Sequence, residues 1–106
     1  MVIKRFEIYF VDLDPMVGSE ISKARPCLVV SADDINRALN TVIVAPLTST
    51  IRSYPTRINC FVAEKKGQIA LDQLRAIDKQ RLNQKLDVLD AKTGKLVLKV
   101  IAEMFS

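Results

Sequence analysis

Hydrophobic and polar residues alternate over short stretches through most of the chain, the pattern that half-buried β-strands produce. Predicted strands cover residues 6–11, 26–30, 41–45, 57–62, 68–71 and 74–77. Pro26 suits the first position of its strand, and Pro46 is expected to end the β-branched strand 41–45, which should be buried on both faces. Residues 64–67, Glu-Lys-Lys-Gly, give the turn of a hairpin between strands 57–62 and 68–71.

The hydrophobic period changes to helical spacing near the C-terminus. The apolar stripe comprises Leu86, Leu89, Leu96, Val97, Val100, Ile101 and Met104. Asp87 or Asp90 can cap this helix, while Gly94 inside it costs about 1 kcal/mol relative to alanine and argues for a break. Ser31 and Asp34 resemble a capping box, which predicts one short helical turn over residues 32–37.

Five or six short strands followed by one helix predict a mainly β fold, a small, mostly antiparallel barrel or curled sheet. The 106 residues suit one domain, 1–106. No apolar run approaches the about 20 residues that cross a bilayer, and Glu7 interrupts any signal-peptide core, so we expect a cytoplasmic protein with no membrane partner. Cys27 and Cys60 lie in apolar runs and are expected to be buried free thiols.

The most informative stretch is residues 12–31, a polar loop that leads into the apolar strand at Pro26. Arg25 lies at the end of this loop, directly before a rigid scaffold, where functional side chains are often found. The chain has no histidine and no cluster of metal-ligating residues, so acid–base chemistry has no imidazole and a metal cofactor is not expected. Its net charge of +4 is compatible with a polyanionic partner.

Four linked motifs carry a family resemblance. They are IYFVDLDPMVGSEISKARPCLVVS, TVIVAPLTS, YPTRI and GQIALDQLRAIDKQRL, in this order from about residue 7 to residue 82. Together they resemble the MazF/PemK family of toxin endoribonucleases. One departure is Phe6, because many members have glycine just before the acidic residue of the first strand.

The resemblance implies a fold similar to an SH3-like barrel of the PemK/CcdB type with a C-terminal helix, working as a homodimer. It implies metal-independent cleavage of single-stranded RNA at short sequence motifs, and silencing by a cognate antitoxin with an acidic, partly disordered tail. By position, the family's two catalytic residues correspond to Arg25 and Thr48. Residues expected to line the RNA groove are Gly18, Ser19, Glu20, Ser49 and Gln73.

Elementary chemistry agrees with these two catalytic residues. RNA brings its own nucleophile, the 2′-OH, so the protein must mainly stabilise charge on the phosphorane and help move protons. The Arg25 guanidinium can donate two parallel hydrogen bonds to phosphate oxygens. The Thr48 hydroxyl can donate to the same phosphate or orient the 2′-OH. The expected products carry a 2′,3′-cyclic phosphate and a 5′-hydroxyl.

Two other functions remain open at this point. A gyrase poison on a similar barrel would work through the end of the last helix, residues 102–106, and would not need Arg25 and Thr48. A non-catalytic RNA- or DNA-binding module would show salt-sensitive binding without strand scission. Four aromatic residues, Tyr9, Phe10, Tyr54 and Phe61, are candidates for base stacking, and of these Phe10 and Phe61 are rather expected in the core.

Overall fold

The computed structural model describes residues 2–13 and 24–106. Within these ranges the strands are β1 (Glu7–Asp12), β2 (Ala24–Val29), β3 (Thr41–Thr48), β4 (Arg57–Val62), β5 (Lys65–Ala70), β6 (Arg75–Asp78) and β7 (Leu82–Val88). The α-helices are α1 (Asp33–Ala38), between β2 and β3, and α2 (Ala91–Met104), which follows β7. Short 3-10 turns at Leu71–Gln73 and Lys79–Arg81 flank β6.

The described strands all pair antiparallel. Their order across the sheet is β4-β5-β3-β2-β1-β7, and β6 pairs with β3 outside this series. Strand β3 is central, because one of its edges pairs with β2 while the other pairs first with β6 and then with β5. The sheet therefore curls around β3 into a half-barrel. The predicted fold class, mainly antiparallel β with a C-terminal helix, is confirmed.

Two apolar clusters fill the two faces of this curled sheet. One holds Ile8, Leu28, Ile69 and Leu71 and receives the apolar side of α2 through Val97. The other is formed by residues that alternate with the first set, among them Tyr9, Val11, Cys27, Val29, Val42, Val44 and Ile77. Strand β1 is consequently buried on both faces rather than half-buried, because its alternate side chains enter different clusters.

Pro46 does not end β3, contrary to the sequence-based prediction. It pairs with Cys27, at the point where β3 leaves β6 and begins to pair with β5. The missing N–H of proline costs little where a strand changes partners. The strand therefore continues to Thr48, and Ile43 is 42% exposed, so the prediction of burial on both faces was also wrong. Similarly, β2 begins at Ala24, two residues before Pro26.

The C-terminal helix begins at Ala91, later than the apolar spacing predicts, because Leu86 belongs to β7. Strand β7 pairs with β1 through two register shifts, between Ile8 and Tyr9 and between Tyr9 and Val11. Such bulges break the period of two and give spacings that resemble those of a helix. Asp90 caps the helix as predicted, since its carboxylate accepts the Thr93 backbone N–H at 2.9 Å.

Helix α1 covers nearly the predicted residues, but Ser31 does not cap it. The Ser31 hydroxyl instead donates to the Asn36 side chain and accepts from the backbone N–H of Ile43. The hairpin between β4 and β5 turns at Ala63 and Glu64, which both have positive φ. The predicted hairpin is confirmed, but its turn lies earlier than residues 64–67, so Lys65 and Lys66 belong to β5. Without the usual Asn or Gly at these two positions, the sequence did not show where the turn is centred.

Candidate active site

Arg25 is held near the start of β2 by pairing on one side with β1, where it lies opposite Val11. Its side chain is exposed. Among the residues that the structure describes, no carboxylate forms a salt bridge with its guanidinium. An exposed guanidinium without such a partner keeps its donors available to a phosphate.

Thr48 is the last residue of β3 and is partly buried. Strands β2 and β3 pair with Cys27 opposite Pro46, and continuing that register by two residues places Arg25 level with Thr48. The Thr48 hydroxyl oxygen accepts the backbone N–H of Thr50 at 3.1 Å. This bond occupies an acceptor position and leaves the single hydroxyl proton free to be donated.

A groove of about 380 Å³ contains both of these residues. Its polar part is formed by Arg25, Thr48, Ser49, Thr50, Lys65 and Lys66, and its apolar part by Phe10, Pro26, Leu47, Cys60, Val62 and Leu86. The two residues that the sequence singled out, 23 positions apart, therefore line one cleft. An apolar wall beside a cationic edge is suited to a ligand that combines bases with phosphates.

Strand β5 lies close to Thr48, so the hairpin that carries Lys65 and Lys66 reaches this groove. Gln68 lies opposite Thr48 in the β3–β5 pair. At the preceding residue, Gly67, a Cβ atom would lie 2.8 Å from the Thr48 carbonyl oxygen. Any side chain at Gly67 would push the two strands apart, so glycine is required for this approach.

A second arginine, Arg57, lies beside the loop that follows Thr48. Its Nε donates to the Asp72 carboxylate at 2.8 Å, and its guanidinium carbon lies 5.2 Å from the centre of the Tyr54 ring. The bond from Arg57 lowers the pKa of Asp72. Because its guanidinium is paired with a carboxylate, Arg57 stabilises the structure next to the groove.

Neither thiol is set up for nucleophilic chemistry. Burial raises the pKa of Cys27 to about 12, although Arg75 and Arg25 act in the opposite direction. Burial also raises the pKa of Cys60, which lines the groove. Both cysteines are free, as predicted, although Cys60 is only partly buried.

Residues 4–105 match the family described as PemK-like, MazF-like toxins of type II toxin–antitoxin systems. The chain belongs to this family. A relative, Endoribonuclease EndoA of Bacillus subtilis, is 43% identical over 96 residues, which cover 85% of this chain and 83% of that protein.

Solved structures show that the MazF fold is shared. Mycobacterium tuberculosis toxin MazF-mt6 matches with a TM-score of 0.79 at 24% identity, over 93% of this chain and 95% of that one. A mycobacterial endoribonuclease in complex with its cognate antitoxin gives 0.81 at 24% identity, covering 97% and 94%. A MazE–MazF structure from Deinococcus radiodurans gives 0.86 at 21% identity, covering 99% and 96%.

The other predicted groove residues of this PemK/MazF-family chain have different outcomes. Ser49 lines the groove next to Thr48. Gln73 is exposed but lies in the 3-10 turn after β5, and it is not among the residues that line the groove. Gly18, Ser19 and Glu20 lie outside the described residues. Their roles stay predictions.

The aromatic residues differ from expectation. Tyr9 is 3% exposed and its hydroxyl donates to Glu7, so it is not available for base stacking. Phe61, expected in the core, is 67% exposed on β4, and Phe10 is a partly buried groove residue.

Sequence reasoning missed three contributors to the site: Lys65 and Lys66 on the groove, and Gln68 behind it. The two lysines were assigned to a turn. Gln68 carried a signal that was not used, a single amide within the otherwise apolar run 67–71.

Proposed function

We propose that this chain is a metal-independent, sequence-specific endoribonuclease that cleaves single-stranded RNA, with mRNA as its target and inhibition of translation as its effect. The coarser statement, a toxin-family enzyme of the endoribonuclease class, follows from the family and the 43% identical relative. The observation that supports the finer proposal is the shared groove, in which Arg25 and Thr48 face the same space.

In this proposal the scissile phosphodiester lies between Arg25 and Thr48. The 2′-OH of the preceding nucleotide attacks the phosphorus atom, and the P–O5′ bond breaks, leaving a 2′,3′-cyclic phosphate and a 5′-hydroxyl. Charge develops on the non-bridging oxygens as the phosphorane forms. Two guanidinium donors at this point stabilise it, because preorganised donors act most strongly on charge that appears in the transition state.

Thr48 supplies a second donor. Its oxygen already accepts the Thr50 N–H, so its hydroxyl proton is directed away from that bond and can reach a phosphate oxygen. Lys65 and Lys66, which also line the groove, are proposed to hold flanking phosphates. Phe10, a partly buried lining residue of the groove, provides a face on which a base can stack.

The test is cleavage of a long unstructured RNA in EDTA, followed by analysis of the product ends. We expect fragments with 2′,3′-cyclic phosphate and 5′-hydroxyl ends at one short motif, and no cleavage when a single 2′-deoxynucleotide replaces the residue that supplies the nucleophile. Binding without fragments would favour the non-catalytic module instead. Inhibition of supercoiling in a parallel gyrase assay, without RNA cleavage, would favour the gyrase poison.

An acidic antitoxin segment is the proposed partner of the same groove. The groove combines apolar walls with the cationic side chains of Arg25, Lys65 and Lys66, which suits an acidic peptide that folds on binding. Competition with RNA is therefore expected. Simultaneous, independent binding of peptide and RNA would contradict a shared site.

We propose that residues 1–106 form one toxin domain and that the protein is cytoplasmic. We also propose that two copies of it form a homodimer. Away from the catalytic groove, an apolar depression is lined by Val30, Ile43, Leu74, Ala76, Leu98, Ile101 and Phe105, with two arginines at its edge. Phe105 is 76% exposed and Ile43 is 42% exposed. A second copy covering this surface would remove both side chains from water. Analytical ultracentrifugation of the unchanged protein and of Phe105→Asp tests this. We expect a dimer for the unchanged protein and a monomer for the variant.

No helix among the described residues is long and apolar enough to cross a membrane. No group of three or more histidine, cysteine, aspartate or glutamate side chains in that part of the chain is arranged to hold a metal ion.

A further inference from the structure

Gln68 is a buried polar residue directly behind the catalytic groove. It is 4% exposed and lies on β5 opposite Thr48. An amide at such a position is costly unless its donors and acceptor are all used. The partners of this side chain therefore indicate what it is for.

The Gln68 side-chain amide forms two hydrogen bonds with the backbone of the loop that follows Thr48. Its Oε1 accepts the backbone N–H of Arg52 at 3.0 Å, and its Nε2 donates to the backbone carbonyl of the same residue at 3.2 Å. The second proton of Nε2 goes to the side-chain oxygen of Asn59 at 3.0 Å. A neighbouring β-strand would bond to the N–H and C=O of one residue in the same way. The pair of bonds to Arg52 therefore fixes both the position and the direction of the loop.

The segment between Thr48 and Arg52 is thereby closed into a short turn with both ends fixed. Within it, the Thr50 N–H reaches the Thr48 hydroxyl oxygen at 3.1 Å. Arg57 donates a longer bond, 3.5 Å, to the Thr50 carbonyl. The orientation of the Thr48 hydroxyl thus depends on where Thr50 lies, and Thr50 lies where the anchor at Arg52 allows.

We propose that Gln68 is a positioning residue for cleavage, which holds the 49–52 turn so that the Thr48 hydroxyl donates into the groove. This inference rests on the proposed function, in which Thr48 contacts the scissile phosphate. Gln68 itself is buried and is not among the residues that line the groove, so we expect it to act without contacting RNA.

The expected effect of Gln68→Leu is a fall in kcat of about 10²-fold with KM changed by less than about threefold. Misplacing a catalytic group by roughly an ångström costs on this order. Substrate binding is spared because the lysines and Arg25 are unaffected. Asn59→Ala is the matched control, since it removes one bond to the same amide but leaves both contacts with Arg52, and its kcat should stay within about threefold of the unchanged protein.

A kinetic cycle with Thr48→Ala separates positioning from general structural damage. If Gln68 acts through Thr48, then adding Gln68→Leu to Thr48→Ala causes little further loss, because the hydroxyl it orients is already gone. A double variant in which the two losses multiply would overturn the inference, as would a Gln68→Leu variant with unchanged kcat. If Thr48→Ala alone retains full cleavage, the proposed role of Thr48 fails instead, and the two failures are distinguishable.

Two further measurements keep the inference testable if Gln68→Leu does not fold. Gln68→Glu preserves shape, and only when protonated can its carboxyl both accept from the Arg52 N–H and donate to the Arg52 carbonyl. Its kcat relative to the unchanged protein should therefore rise as pH falls. A flat ratio would contradict the inference. Amide exchange at Thr50, measured without RNA, should be faster in Gln68→Glu at neutral pH than in Asn59→Ala. Equal rates would contradict the inference independently of cleavage.

Discussion

The groove around Arg25 lies near the C-terminal end of strand β1, whereas the contact between Phe6 and helix α2 lies just before its N-terminal end, and the two regions use their side chains differently. In the groove, a guanidinium is exposed and two lysines line the edge. At the Phe6–α2 contact, an aromatic ring fills the space above Gly94 so closely that a Cβ there would lie 2.6 Å from the ring. The first region presents exposed cationic side chains, whereas the second packs an aromatic ring against a helix.

This difference predicts that substitutions in the two regions separate activity from stability. Phe6 has a φ of +73°, in the region that favours glycine, the residue that the family resemblance led us to expect there. The conformation is strained for a phenylalanine, yet the ring packs on α2 and the Phe6 carbonyl accepts the Leu89 N–H at 2.8 Å. The departure from the family pattern is thus matched by Gly94, which makes room for the ring.

The largest expected effect is on cleavage, from Arg25→Ala. Removing the main donor to the phosphorane should lower kcat/KM by about 10³-fold or more, with the melting temperature nearly unchanged because the side chain is exposed. Single-turnover cleavage and thermal unfolding measure the two quantities. Arg37→Ala is the control, since Arg37 is an exposed arginine on α1 paired with Asp34, and it should cleave normally. Normal cleavage by Arg25→Ala would remove this arginine from the mechanism.

The next effect is on stability, from Gly94→Ala. The added methyl group collides with the Phe6 ring, so we expect a loss of about 1–3 kcal/mol in the free energy of unfolding, although alanine is normally the better helix former. Denaturant unfolding measures it, and cleavage per folded molecule should be retained. In a Phe6→Gly background the collision is absent, and Gly94→Ala should no longer destabilise. A destabilisation of equal size in both backgrounds would show that the ring is not the cause.

A smaller effect is expected on RNA affinity, from replacing Lys65 and Lys66 with glutamine. If each lysine contacts one phosphate, the slope of log binding constant against log salt should become shallower by about 0.7 per lysine. Fluorescence anisotropy with a non-cleavable 2′-deoxy-substituted RNA provides the measurement. Lys92→Gln and Lys95→Gln on α2 are matched controls, outside the groove, and should leave the slope unchanged. Identical slopes for both pairs of variants would place the RNA elsewhere.

The smallest effect is the pH dependence of stability at Glu7, the neighbour of Phe6. Burial alone would raise the pKa of Glu7, but bonds from Lys85, the Lys4 N–H and the Tyr9 hydroxyl outweigh it and lower this pKa. A folded-state pKa below the unfolded value means that the stabilisation is present above the unfolded value, near 4.3, and is lost as pH falls further. Glu7→Gln should flatten the stability curve in that acid range. A curve parallel to that of the unchanged protein would show that Glu7 contributes nothing.

Local patterns were sufficient for most of the fold. The strand 57–62 was predicted with its bounds, and the Asp90 cap was among the two proposed, because alternation and capping are encoded by adjacent residues. The start of α2 was wrong because the bulged pairing of β7 with β1 depends on a partner more than 70 residues away. Pro46 was misjudged for a similar reason, since only the pairing of β3 with three other strands shows that its missing N–H is tolerated.

The site divides in the same way. Arg25 and Thr48 were found through linked family motifs; both line one groove, and their catalytic roles stay predictions. Gln68 stood out only as a single amide in an apolar run, and its partner, a loop 16 residues earlier in the chain, is visible only in the structure. Lys65 and Lys66 were missed because two residues with positive φ, neither of them glycine, form the hairpin turn.

The central claim is that Arg25 and Thr48 act on the same phosphodiester. The most direct test is single-turnover cleavage of one short RNA by Arg25→Ala, Thr48→Ala and the double variant, each verified as folded. Groups that act as a unit lose their effects together, so the double variant should cleave only slightly more slowly than the slower single variant. Rate losses that multiply, or a Thr48→Ala variant as fast as the unchanged protein, would contradict the claim.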